Sequence, residues 1–129
     1  MDILDYLKFY LGCEFYLETH GKKYKDIVRF VTPEGCSGYD VDVCMFIDEL
    51  EEGTIFKLIL TRPEDMSDIQ KEKYYSLSKV LNVEGKLTYV DTPESIRYLF
   101  SIGIDAFDLI DNELALDKKA ISDELFTKH

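Results

Sequence analysis

The chain has 129 residues, a length that can bury one hydrophobic core and that sits within the range of a single domain, here taken as 1–129. Hydrophobic residues make up 46% and charged residues 32%, which argues against disorder, and no apolar run approaches the ~20 residues of a membrane helix. With 26 acids against 15 bases the formal charge is −11, so direct binding to phosphate backbones is not expected, while solubility or a basic partner protein fits.

The apolar periodicity predicts an amphipathic helix over Asp2 to Leu11, with Ile3, Leu4, Leu7, Tyr10 and Leu11 on one face, Asp2 as cap and Gly12 as stop. Glu14 to Thr19 alternates as a strand, His20 to Lys23 is a turn, and Tyr24 to Val31 returns as the second strand of a hairpin. Thr32 to Gly38, with Pro33, Gly35 and Gly38, reads as a loop. Tyr39 to Ile47 reads as a third strand, and Asp48 to Gly53 as a polar connection. Thr54 to Thr61 is nearly continuously apolar, the pattern of a central strand covered on both faces.

Ser67 and Gln70 have capping-box spacing and open a helix expected to reach Leu81, with Tyr74, Leu77, Val80 and Leu81 on its buried stripe. Asn82 to Gly85 is a turn and Lys86 to Val90 a fifth strand. Thr92-Pro93 starts a helix whose Ile96, Leu99 and Phe100 should face inward, and Gly103 ends it. Asp105 is placed to cap a last short helix carrying Phe107 and Ile110, and the final residues are expected to be mobile. The sum is an α+β fold: a mostly antiparallel sheet of four to five strands, with an N-terminal helix and two to three C-terminal helices packed on it. Leu7, Ile27, Val43, Leu58, Leu60, Leu77, Leu99 and Phe107 are its expected core.

Residues 1–19 carry acids where a signal peptide would carry bases, and the three cysteines, Cys13, Cys36 and Cys44, cannot all pair within one chain, so a reduced, cytoplasmic protein is expected. Motifs for catalysis are sparse. There is no His-x-x-x-His pair, no Cys-x-x-Cys knuckle, no Gly-x-Ser-x-Gly elbow and no phosphate-binding glycine loop, so no catalytic, metal or cofactor residue is assigned. The nearest enzymatic pattern is Glu84-x-Lys86 with Asp65 or Asp68, and Asp40-x-Asp42 as a second carboxylate pair. Together they define an alternative, a metal-dependent hydrolase or nuclease. Two base-free acid runs stand out more. Asp40, Asp42, Asp48, Glu49, Glu51 and Glu52 form the first; Asp105, Asp108, Asp111, Glu113 and Asp117 form the second. Charges this close lie within about one Debye length, ~8 Å at physiological salt, and create a local negative potential. Asp40 to Glu52 and Asp105 to Glu113 are therefore the candidate partner-binding residues.

Three stretches, 5–14 around Tyr6-Leu7-Lys8-Phe9, 57–66 around Leu60-Thr61-Arg62-Pro63, and 107–117 around Asp108-Leu109-Ile110-Asp111, resemble small uncharacterised proteins encoded by phages and prophages of the Bacteroidetes. Where that group often carries Gly in the last stretch, this chain has Asp108 or Asn112. The resemblance implies a phage-related protein inside a bacterial host, acting by binding a basic host protein, as a nucleic-acid mimic or anti-defence inhibitor would. A further alternative is an oligomeric structural or accessory component, for which the many tyrosines and strand edges are the motive.

Overall fold

A computed structural model describes residues 2–33, 35–38, 45–46 (backbone only) and 53–121. Among them the chain is α+β, with nine strands and two α-helices. In chain order the elements are β1 (Glu14–Thr19), β2 (Lys22–Ile27), β3 (Phe30–Thr32), β4 (Gly35–Ser37), β5 (Met45–Phe46), β6 (Ile55–Leu60), α1 (Asp68–Leu77), β7 (Lys79–Val83), β8 (Lys86–Val90), α2 (Pro93–Ser101) and β9 (Ala115–Asp117).

The main sheet is mixed, in the order β2-β1-β6-β9. β1 runs antiparallel to both β2 and β6, whereas β6 and β9 are parallel, pairing Leu58 with Ala115 and Leu60 with Asp117. A parallel pair needs a long crossover, and residues 61–114, which hold both helices and the β7–β8 hairpin, supply it. β3, β4 and β5 form a separate small antiparallel sheet, and β7 pairs only with β8 among the described residues.

The central position expected of Thr54 to Thr61 is observed: β6 is interior, and Leu58, Ile59 and Leu60 are all buried. Leu7, Tyr10, Phe15, Ile104 and Leu109 complete the inner core. An aromatic group closes it, with Phe100 against Tyr10, Phe9 and Phe107 at ring separations of 5.4, 5.1 and 5.6 Å.

Several expectations are corrected. The N-terminal segment is not an α-helix but two 3-10 turns, Ile3–Asp5 and Leu7–Tyr10, although Asp2 caps Leu4 and Gly12 ends the segment at φ 89° as expected. A segment this short has little helical stability of its own, so packing decides. The Tyr10 hydroxyl donates to the Ile104 carbonyl at 2.8 Å, and the Tyr6 ring packs tilted against Phe107. Helix α1 stops at Leu77, because the Ser78 hydroxyl donates to the Tyr74 carbonyl and the Thr92 hydroxyl to that of Leu77. Val80 and Leu81 therefore belong to β7. No third C-terminal helix exists among the described residues. Asp108 and Glu113 adopt φ of 58° and 62°, which breaks a helix, and 115–117 joins the sheet instead. Residues 35–37, expected as loop, form β4.

In the expected core, Leu7, Leu58 and Leu60 are buried and Leu77, Leu99 and Phe107 are half-buried, while Val43 lies outside the described residues. Ile27 is 41% exposed, because the register sets it opposite Glu14 while Asp26, opposite Phe15, takes the core face. Ile96, expected inward, is 37% exposed. The strand read at 39–47 is described only at β5, and the terminal residues expected to be mobile lie outside the described set.

Candidate functional site

Strands β6 and β9 end side by side, and their exits gather charge. Arg62 donates from Nε to Asp117 at 3.1 Å and from Nη1 to Asp111 at 2.9 Å. These hydrogen bonds, to Asp111 and then Asp117, raise the guanidinium pKa. Lys119 lies 3.4 Å from Asp65, and Glu14 bridges Lys118 at 3.2 Å and Lys25 at 3.4 Å. This rim is charge-paired, and exposed pairs of this kind contribute ~0–1 kcal/mol each.

The second acid run is thereby divided. Asp105 is 5% exposed and presents no charge to a partner. Its carboxylate accepts from the backbone N–H of Leu109 at 2.8 Å, Ile110 at 2.9 Å and Phe107 at 3.3 Å. Asp111 and Asp117 share Arg62. Asp108 and Glu113 remain exposed at the surface. Asp40, Asp42, Asp48, Glu49, Glu51 and Glu52 lie outside the described residues.

Of the carboxylates of the hydrolase alternative, Asp40 and Asp42 lie outside the described residues, and Asp65, Asp68 and Glu84 have separate places in the fold. Asp65 is paired with Lys119, Asp68 opens α1, and Glu84 sits in the β7–β8 turn at φ 51°. Among the described residues no three His, Cys, Asp or Glu side chains are grouped to hold a metal ion. No described helix is long and apolar enough to cross a membrane.

A cleft of about 150 Å³ opens beside Cys13, between Gly12, Thr61, Gly103 and Lys118. The thiol is 7% exposed and donates to the Phe100 carbonyl at 3.2 Å. Burial, with help from Glu14, pushes its pKa up to about 11, so it is a neutral core group rather than a nucleophile. Burial also raises the Tyr10 hydroxyl. Both groups are held protonated in the fold, so the sign is fixed: the Cys13 contribution is fully present below the ordinary thiol value of 9.0 and is lost as pH rises through about 11, whereas that of Tyr10 is lost only above its own ordinary value of 10.0. Denaturant titrations across that window should show a stability loss on the order of 2–3 kcal/mol from Cys13, removed in Cys13→Ala. A flat profile in the native chain would refute this.

The least expected surface is the α1–β7–β8 arm. None of residues 62–94 is buried, yet the arm carries a series of large apolar side chains. Ile69 is 80% exposed, Leu87 71%, Val83 50%, and Val80 and Tyr89 49% each. The hairpin turns through Glu84-Gly85, both at positive φ, the two-residue connection that matches strand twist. Tyr75 of α1 packs on Tyr89 at 4.6 Å, and the Tyr74 hydroxyl donates to Asp91, which ties the helix to the exit of β8. That bond adds to burial in pushing the Tyr74 pKa up to about 12. The sequence signal for β7 was the β-branched Val80 and Val83 ahead of Glu-Gly, masked by helical spacing from Tyr74 onward.

No protein-family model matches the chain, and no curated protein or solved structure matches it.

Proposed function

We propose that this chain acts by binding protein and not by catalysis, with the α1–β7–β8 arm as the element that docks it into a larger assembly. The observation that carries this reading is the arm itself: a helix and a hairpin rich in apolar residues, none of them buried in their own chain. A two-stranded hairpin is marginal alone in water, and large apolar side chains exposed on both its faces favour burial against a partner. Charge supports a division of labour. Residues 68–90 hold four bases and three acids, a net of +1, which leaves −12 on the rest of a chain of −11. The acidic remainder then suits a basic host protein, as the phage resemblance implies, while the arm supplies apolar contact.

Sedimentation of the tagged chain in an extract of its native cells tests this. The chain should travel in a complex, and a variant carrying Ile69→Lys, Val83→Lys and Leu87→Lys should travel as a monomer with an unchanged circular dichroism spectrum. Apolar docking should survive added salt, whereas a purely charge-driven contact would weaken. A native chain that sediments as a free monomer would refute the proposal.

A further inference from the structure

The edge of β8 says what the arm can accept. Val83 and Lys86 flank a two-residue turn, so they form the first mutually hydrogen-bonded pair of the ladder, followed by Leu81 with Thr88 and Lys79 with Val90. Lys86, Thr88 and Val90 thus direct their backbone groups inward to β7. Leu87 and Tyr89 direct theirs outward, to an edge that pairs with no other described strand.

We infer that the occupant of the arm is a second copy of this chain, joined β8 to β8 in antiparallel register about a two-fold axis at Thr88. This rests on the reading of the arm as a docking element. The register follows from the outward groups: Leu87 of one copy exchanges both backbone hydrogen bonds with Tyr89 of the other, twice per dimer. The side chains agree. Leu87, 71% exposed, meets the other copy's Tyr89, 49% exposed, an apolar-aromatic pair of the kind that stabilises sheets. Lys86 meets Val90 rather than a second Lys86, so the symmetry sets no like charges opposite each other. The corresponding union through β7, about Leu81, would set Val80 against Asn82 twice and is disfavoured. Charge selects the same face. For a two-fold dimer, arm against arm brings together two segments of net +1, whereas a symmetric contact between the remainders brings together two bodies of −12.

Sedimentation of the purified full chain over a wide concentration range reads the result. A mass of twice 15.0 kDa should appear at high concentration. Leu87→Pro removes an outward N–H and leaves the inner ladder intact, so it should weaken association about tenfold or more, two hydrogen bonds being lost per dimer. Asn82→Pro, the same change on the outward side of β7, should leave association unchanged. Independently of either proline, Thr88→Cys should form an intermolecular disulfide under mild oxidation. Residues facing across the axis in a non-hydrogen-bonded pair have Cα atoms ~4.5 Å apart, inside the ~4.4–6.8 Å that a disulfide spans. Lys86→Cys, displaced from the axis, should not cross-link above the native background. Cross-linking of both or of neither overturns the register. A purified chain that stays monomeric overturns the inference. If it still enters an arm-dependent complex in extract, the docking reading stands with a different partner; if it does not, both fall.

Discussion

Leu58→Ala is expected to lower folding stability by on the order of 2–5 kcal/mol, because it deletes a fully enclosed side chain at the centre of the sheet. Leu58 is 0% exposed, pairs with Phe15 on one side and Ala115 on the other, and belongs to the main apolar cluster. Its neighbours are fixed by two ladders and cannot collapse far into the space, so the cavity term adds to the lost transfer energy. Urea unfolding should show the midpoint falling with the slope unchanged. A loss well under 1 kcal/mol would mean that β6 is not the interior strand.

Asp105→Ala should have an effect of similar size, on the order of 3–5 kcal/mol, by a different mechanism. The carboxylate collects three backbone N–H groups from 107, 109 and 110 in a place that is 5% exposed. Without it those donors lose their acceptor inside the fold, and each such group costs roughly 1–3 kcal/mol. The turn it organises leads directly into β9, and Leu109 behind it is fully buried. Amide exchange at Leu109 and Ile110 should accelerate along with the loss of stability. Asp111→Ala, from the same acid run, should cost less than about 1 kcal/mol, because it only opens one exposed contact to Arg62. Equal effects at the two positions would refute the distinction between a buried cap and a surface charge.

That contrast shows where a sequence stops being informative. Five acids read in a line look equivalent, since spacing reports proximity along the chain and not exposure. Folding turned Asp105 inward, joined Asp111 and Asp117 to a distant Arg62, and left Asp108 and Glu113 at the surface. The departure from Gly at Asp108 falls at a left-handed backbone position, φ 58°, one that Asp tolerates better than most residues.

What the sequence determined by itself was local. The capping box at Ser67, the helix start at Thr92-Pro93, the stop at Gly103, strand β1 to the residue and the burial of β6 follow from short-range hydrogen bonding, backbone freedom and apolar patterning, all of which act within a few residues. Tertiary structure decided the rest. Parallel pairing of β6 with β9 depends on a partner some 55 residues away, as Arg62 and Asp117 record. The 3-10 form of the N-terminus depends on where Ile104 and Phe107 lie. The phase of β2 depends on its register with β1, which sent Asp26 inward and Ile27 outward. The arm is the clearest case: Val80, Val83, Leu87 and Tyr89 have the composition of a core, and only the packing of the whole chain leaves them facing solvent. Hydrophobicity fixes that such groups favour burial; what buries them is a property of the surfaces that meet, within one chain or between two.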